Sequence, residues 1–221
     1  RQWNEMAVFY RANAQSRLLE EALMRYGVPY KIIGGTRFYE RREVKDALAY
    51  LRAALNENDE VSVKRVINVP KRGIGDTSID KLDAFAHNNS IGFAAAMHRS
   101  SEAGLGGAAA KGLSSFLETL YEAGNHQSEG PAEVLRLVLE KSGYMSELEN
   151  EGTVEADGRI ENIAELIGFA EEFETVDEFL EQVALVADTD QIDGDNRVML
   201  MTLHAAKGLE FPLVFLAGFE E

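Results

Sequence analysis

The chain has 221 residues, 45% of them apolar, and a formal net charge of −16 from 22 basic and 38 acidic side chains. That length and apolar content are enough for one large core or two ordinary ones and exclude disorder as the main state, and the charge excludes a generally sticky polyanion binder or a polybasic membrane protein. With no cysteine, and with His87, His98, His126 and His204 lacking any i, i+4 pairing, disulfides, thiolate zinc sites and cysteine nucleophiles are excluded and no metal site is expected.

Absence of cysteine fits a reducing cytoplasm, the expected location. No apolar stretch approaches the roughly 20 residues that span a bilayer, so no membrane is expected as a partner. The start, Arg1 to Glu5, is no signal peptide, and the chain stops at Glu221 directly after an apolar run, so it reads as a fragment cut at both ends. Charge is unevenly placed: residues 1–77 carry 14 basic and 10 acidic side chains, a net of +4, which leaves −20 for the remainder. A polyanion site belongs in the first third.

Met6 to Tyr10 is a short apolar run expected to form a buried strand. Leu18, Leu19, Ala22, Leu23 and Tyr26 then fall on one face of a helix that Gly27 and Pro29 end. Tyr30 to Ile33 reads as a second strand closed by Gly34 and Gly35, completing a strand–helix–strand unit. Beyond the glycine pair nearly everything is helical in period, from Val44/Ala47/Leu48/Leu51/Leu55 to Phe179/Leu180/Val183/Ala184, about eight helices in all. Pro131 starts and Gly143 stops one of them. Residues 101–112 read as a small-residue connector and 185–196, with four aspartates, as a solvated linker. Strands return at Val198 to Thr202 and Pro212 to Ala217, with room for about two helical turns between His204 and Glu210. The pattern is mainly α with α/β parts: one α/β domain interrupted by a helical insertion.

Four strings carry candidate chemistry. In Pro70-Lys71-Arg72-Gly73-Ile74-Gly75-Asp76-Thr77, glycines admit a close ligand, a helix N-terminus follows near Thr77, and Lys71 and Arg72 add charge, which suits a nucleic-acid phosphate. The same spacing fits a tight helix–helix turn with incidental cations. Arg37 to Lys45 mixes cations and aromatics as a nucleic-acid surface does, and equally allows Glu40, Glu43 and Asp46 to pair those cations along a helix. Thr202 to Phe211 lies at the carboxyl end of a strand, where open α/β sheets bind ligands, and His204, Lys207 and Glu210 would line one face of the short helix. A surface Lys–Glu pair in a plain strand-to-helix turn fits as well. Tyr10 to Arg17 again joins a strand to a helix; Asn13 and Gln15 suit phosphates, sugars or bases, while a Ser16 cap and an Arg17 surface ion pair would explain the string without a ligand. Gly-x-x-x-x-Gly-Lys-Ser/Thr, the phosphate-binding loop, occurs nowhere.

Together and in this order, Ala7 to Arg17, Gly34 to Arg41, Pro70 to Gly75 and Met199 to Phe211 resemble the UvrD/PcrA/Rep family of superfamily 1 DNA helicases over essentially the whole chain. The resemblance implies a partial RecA-like parallel sheet: residues 1–34 and 196–221 as two parts of the second RecA-like domain (2A), and 35–195 as its helical 2B insertion. It implies single-stranded DNA contacts from Arg11, Asn13, Thr202 and His204. Glu210, with Lys207 and Gly208 nearby, would serve the nucleotide. Lys71, Arg72, Gly73, Ile74, Gly75 and Thr77 would grip duplex. The implied whole protein is an ATP- and Mg²⁺-dependent 3′–5′ helicase of DNA repair and replication acting at single-strand/duplex junctions in the bacterial nucleoid. The fragment itself would hold no catalytic residue, bind no cofactor alone and be inactive as an ATPase. Repair proteins or a polymerase are expected at the acidic 2B face. The alternative is a non-catalytic DNA- or protein-binding module of a helicase-like nuclease subunit.

Overall fold

A computed structural model describes residues 1–187 and 196–218. Strand β1 (Met6–Tyr10), helix α1 (Ser16–Arg25) and strand β2 (Tyr30–Ile32) form the expected first unit. Nine α-helices follow among the described residues: α2 (Arg42–Leu55), α3 (Glu60–Val66), α4 (Asp76–Asn89), α5 (Phe93–His98), α6 (Gly107–Gly124), α7 (Pro131–Lys141), α8 (Tyr144–Glu151), α9 (Val154–Ala170) and α10 (Val176–Ala187). Strands β3 (Val198–Thr202) and β4 (Leu213–Leu216) return to the start of the chain, and the four strands make one parallel sheet in the order β2-β3-β1-β4. Segments nearly 200 residues apart in sequence are thus hydrogen-bonded neighbours: Ala7 to Tyr10 pair in register with Met199 to Thr202.

The helical part encloses one continuous core in which Phe38, Tyr50, Leu51, Ile67, Leu82, Phe116 and Phe179 are fully buried. Tyr50 is central, with ring centroids 6.4 Å from Phe116 and 6.3 Å from Tyr144, and the Phe169/Phe173/Phe179 triad, 5.0–5.8 Å apart, ties α10 to α9. Such rings bury large areas and add directional edge-to-face contacts. The helices start as their sequences direct: the Asp59 carboxylate caps α3 by accepting from Ser62 N at 3.1 Å, and Thr153 caps α9 by accepting from Ala156 N at 3.1 Å.

Several expectations need correcting. The small-residue stretch is not a connector from 107 onward, because Gly107 to Gly112 form the first turns of α6. Small side chains there let the helix approach a neighbouring loop: a Cβ at Gly112 would collide with the Arg72 carbonyl oxygen. The segment from Leu203 to Gly208 is a series of turns and not a helix, since Ala206 N reaches Thr202 O but Lys207 N and Leu209 N bond only three residues back. Consequently His204, Lys207 and Glu210 share no helical face. The second strand ends at Ile32, one residue early. Of the proposed acidic linker, residues 185–187 belong to α10, and residues 188–195 lie outside the described residues, as does the chain end from Phe219.

Helix α1 departs most from its pattern. Its apolar side is turned outward, with Leu18 59% and Tyr26 79% exposed, and its buried residues are Ser16, Arg17 and Glu20. Here a polar contact to the helical part decides which face is covered, and the hydrophobic period alone reports only that one face is apolar.

Candidate nucleic-acid interface

Parallel pairing places Tyr10, the last residue of β1, directly beside Thr202, the last residue of β3. The turns that carry Arg11 and Asn13 and those that carry Thr202 and His204 therefore leave the same sheet edge side by side. This is the carboxyl edge, where open α/β sheets present ligand-binding loops. Leu203 N donates to Tyr10 O at 2.9 Å, extending the pairing one step past the strands. On the first loop the Gln15 side chain folds back so that its Oε1 accepts from Arg11 N at 3.0 Å and Ala12 N at 3.1 Å. On the second, the Thr202 hydroxyl accepts from Ala205 N at 3.2 Å. With the backbones bound inward, Arg11, Asn13 and His204 stand exposed and Thr202 half-buried. Beneath them Tyr10 is fully buried, and burial pushes its phenol up to about 12.

Lys207, Gly208 and Glu210 are exposed on the path toward β4. Because Leu213 pairs with Met6, at the amino end of β1, the chain crosses from one sheet edge to the other between Thr202 and Leu213. Glu210, three residues before β4, is thereby carried away from the edge holding Asn13 and His204. It makes no ion pair among the described residues, which leaves both carboxylate oxygens available as acceptors.

The Gly-Ile-Gly string lies in the loop from Ile67 to Gly75 between α3 and α4, a helix–loop–helix. Gly73 sits at φ +77°, a backbone conformation that disfavours side chains, and a Cβ there would press on Ala108 of α6 at 3.2 Å. Lys71, Gly73, Gly75 and Thr77 are exposed. Arg72 and Ile74 are not on that surface. Ile74 is a fully buried core residue. The Arg72 guanidinium points inward, donating to Val66 O at 3.2 Å, Ile67 O at 3.4 Å, Pro70 O at 3.1 Å, Tyr50 Oη at 2.6 Å and Ser142 O at 2.9 Å. It also lies over the Phe116 ring at 5.5 Å. Its forked donors gather carbonyls from the end of α3, the loop and the end of α7, so the assignment of Arg72 to a duplex phosphate is corrected: it holds the loop together from within. Asn68, which sequence reading missed, completes the brace as its Oδ1 accepts from Arg72 N at 2.7 Å and Ile74 N at 3.2 Å. An Asn two residues ahead of Pro70 in a loop between helical periods was the available signal.

Two further side chains were misjudged. Ser16 does not cap α1 through its side chain; it is buried, donating to Glu20 Oε1 at 2.7 Å and accepting from Arg41 at 2.6 Å. Arg17 is no surface residue but is 4% exposed, bonded to Glu165 of α9 at 2.7 Å and to Glu21 at 2.9 Å, with its guanidinium 4.3 Å from the Phe169 ring. Just past the string from Arg37 to Lys45, the buried Asp46 carboxylate meets Arg42 at 3.7 Å and Arg65 at 2.8 Å, while Arg41 and Glu43 of the string turn inward.

A family model for the UvrD-like helicase C-terminal domain matches residues 1–101 and 109–221. The chain belongs to that family. Its sequence is 43% identical over 235 residues to the ATP-dependent DNA helicase PcrA of Bacillus subtilis (strain 168), covering 100% of this chain and 32% of that protein. PcrA of Staphylococcus epidermidis (strain ATCC 12228 / FDA PCI 1200) and PcrA of Staphylococcus aureus (strain COL) are each 41% identical over 230 residues with the same coverage. The chain spans about a third of the length of the curated relatives it matches. Mainly α architecture around a small parallel sheet agrees with the fold expected from the resemblance.

Proposed function

We propose that this chain is the 2A/2B portion of an ATP-driven 3′–5′ DNA helicase, with residues 1–34 and 196–221 as two pieces of the RecA-like 2A domain and 35–195 as the 2B insertion. One observation carries the reading: Tyr10 and Thr202 are register partners, so the two strings assigned to single-stranded DNA, far apart in sequence, open on one edge. Arg11 supplies charge to a phosphate, Asn13 and Thr202 supply polar groups to phosphate or sugar, and His204 offers a ring for stacking or a nitrogen for a hydrogen bond. Lys71, Gly73, Gly75 and Thr77, with the exposed amides that begin α4, receive duplex phosphates ahead of the junction.

ATP with Mg²⁺, when bound to the whole protein, supplies phosphoryl transfer as the source of movement. Within this chain Glu210 fits the ribose, since an exposed carboxylate free of a cation accepts from two adjacent hydroxyls, and Lys207 and Gly208 lie between that point and the strand edge. The phosphate cradle is not encoded here, so the chain alone neither hydrolyses ATP nor unwinds DNA. The acidic helical surface favours a protein partner, of the repair or polymerase kind, away from the Lys71 loop. A free Glu210 is more use to a motor than to a non-catalytic nuclease subunit.

Fluorescence anisotropy of the chain with a 3′-tailed duplex, with duplex and with the tail alone, across a salt series, tests this. The tailed duplex should bind best and weaken with salt, and Lys71→Glu should lower affinity for both duplex-containing probes while reducing the salt slope by about 1. Lack of any binding at about 50 mM salt, where phosphate contacts are strong, would overturn the reading.

A further inference from the structure

Between the sheet and the helical insertion lies a buried polar cluster that no strand or duplex contact uses, and Arg41 is its hub. This residue precedes α2 and is 8% exposed. Its guanidinium donates to Asn13 O at 3.0 Å, to Asn162 Oδ1 at 2.8 Å, to Ser16 Oγ at 2.6 Å and to Thr36 O at 3.4 Å, and lies 4.0 Å from the Glu20 carboxylate. Asn162, buried on α9, donates in turn to Glu43 Oε1 at 2.6 Å. Glu20 accepts from Ser16 Oγ at 2.7 Å and from Phe38 N at 3.2 Å. One side chain therefore touches the turn bearing Asn13, the start of α1, the segment leaving the sheet, and a helix 121 residues further along.

Burying a charge is costly unless it is paired and every donor finds an acceptor, and a cluster satisfied to this degree permits a single arrangement of its members. The member that matters for DNA is the Asn13 carbonyl. Held from below by Arg41, and with Gln15 holding the amides of Arg11 and Ala12, the turn has its backbone fixed on both sides while the Arg11 and Asn13 side chains face out.

We propose that Arg41, seated by Asn162, is a positioning residue for the single-stranded DNA site: the helical insertion fixes the strand-contacting turn of the sheet from within, through this guanidinium. The inference rests on the strand-edge reading above. Arg17 and Glu165 join α1 to α9 without touching the turn's backbone, and so provide the control.

The test combines hydrogen–deuterium exchange of the free chain with anisotropy of a labelled oligothymidylate and of a blunt duplex. Arg41→Lys keeps the charge but cannot reach three acceptors in a plane. It should speed exchange of the amides of residues 11–17, weaken oligothymidylate binding about three- to tenfold and leave duplex binding unchanged. Asn162→Ala should act in the same direction with a smaller effect, and Glu165→Gln should do neither. In an Arg11→Ala/Asn13→Ala background, Arg41→Lys should cost almost nothing further, because it acts through those two side chains. Unchanged exchange and affinity in Arg41→Lys would overturn the proposal, and so would Glu165→Gln reproducing its effects, since the cause would then be general loosening between the two parts. If Arg11→Ala/Asn13→Ala leaves oligothymidylate binding intact, the strand-edge reading itself fails and the proposal falls with it, even where Arg41→Lys still speeds exchange.

Discussion

The helical part and the sheet part of this molecule are built to different degrees of closure. Helices α2 to α10 bury a continuous core with several aromatic side chains at zero exposure, whereas the sheet's own cluster of buried apolar residues, among the described residues, is Ala7, Met201 and Ala206. Strand β4 lies at the edge of the sheet with Val214, Phe215 and Leu216 exposed, and α1 shows its apolar side to solvent. Residues 35–187 thus have the burial that lets a domain stand alone, and the sheet leans on them through polar contacts. An edge strand of exposed β-branched and aromatic residues is a pairing surface that isolated domains avoid. The proposed contacts divide along the same line: the helical part frames the Gly-Ile-Gly loop, and the less enclosed sheet carries the turns proposed as strand contacts.

Core truncation gives the largest expected difference between the parts. Phe116→Ala should lower the unfolding free energy of the helical part by about 3–5 kcal/mol in a urea titration followed by circular dichroism. If it costs less than 1 kcal/mol, the helical core is not the stability centre described here. Next is the internal brace: Arg72→Met strips donors from two loop carbonyls, from Val66 O at the end of α3, and from Tyr50 and Ser142, and should cost about 2–4 kcal/mol by the same titration. A double charge reversal at Lys71 and Arg72 would therefore confuse lost folding with lost DNA binding, and Lys71→Glu alone is the clean probe. Gly112→Ala sharpens the point, since overpacking against the Arg72 carbonyl should cost about 1–3 kcal/mol and distort the loop.

Smaller effects test local detail. Asp59→Ala removes the α3 cap and should cost about 1 kcal/mol. Hydrogen bonds from Ser62 hold the Asp59 carboxyl below its ordinary range. A depressed folded value means the contribution is complete above the ordinary aspartate range and disappears as pH falls through the lowered one, so wild type and Asp59→Ala should converge in stability under strong acid. Last, amides of β4 should exchange well before those of α2 and α7 in hydrogen–deuterium exchange, with no mutation needed. Equal protection in the two would break the contrast between the parts.

Much of this was legible in the residues. Strand runs at both ends, helical periods between them and glycine–proline punctuation led to the α/β–helical–α/β order, because burial imposes period 2 or 3.6 on whichever residues face a core. The strings around Asn13, Gly73 and His204 stood out for another reason: their residue types suit exposed turns, and the structure places all three on exposed loops.

Direction, by contrast, was decided in three dimensions. Arg17, Arg41 and Arg72 read as surface cations and are all turned inward, each supplied with acceptors by segments 20 to 150 residues away that no local pattern connects to them. Helix α1 shows its apolar face outward because Arg17, Ser16 and Glu20 find partners on α9, α2's approach and the Phe38 amide. The pairing of Tyr10 with Thr202, which makes one edge from two distant turns, is likewise a product of sheet register. Periodicity is a property of neighbours along the chain and was therefore available from sequence; hydrogen-bond satisfaction of buried charge is a property of neighbours in space, and only the folded structure supplies them.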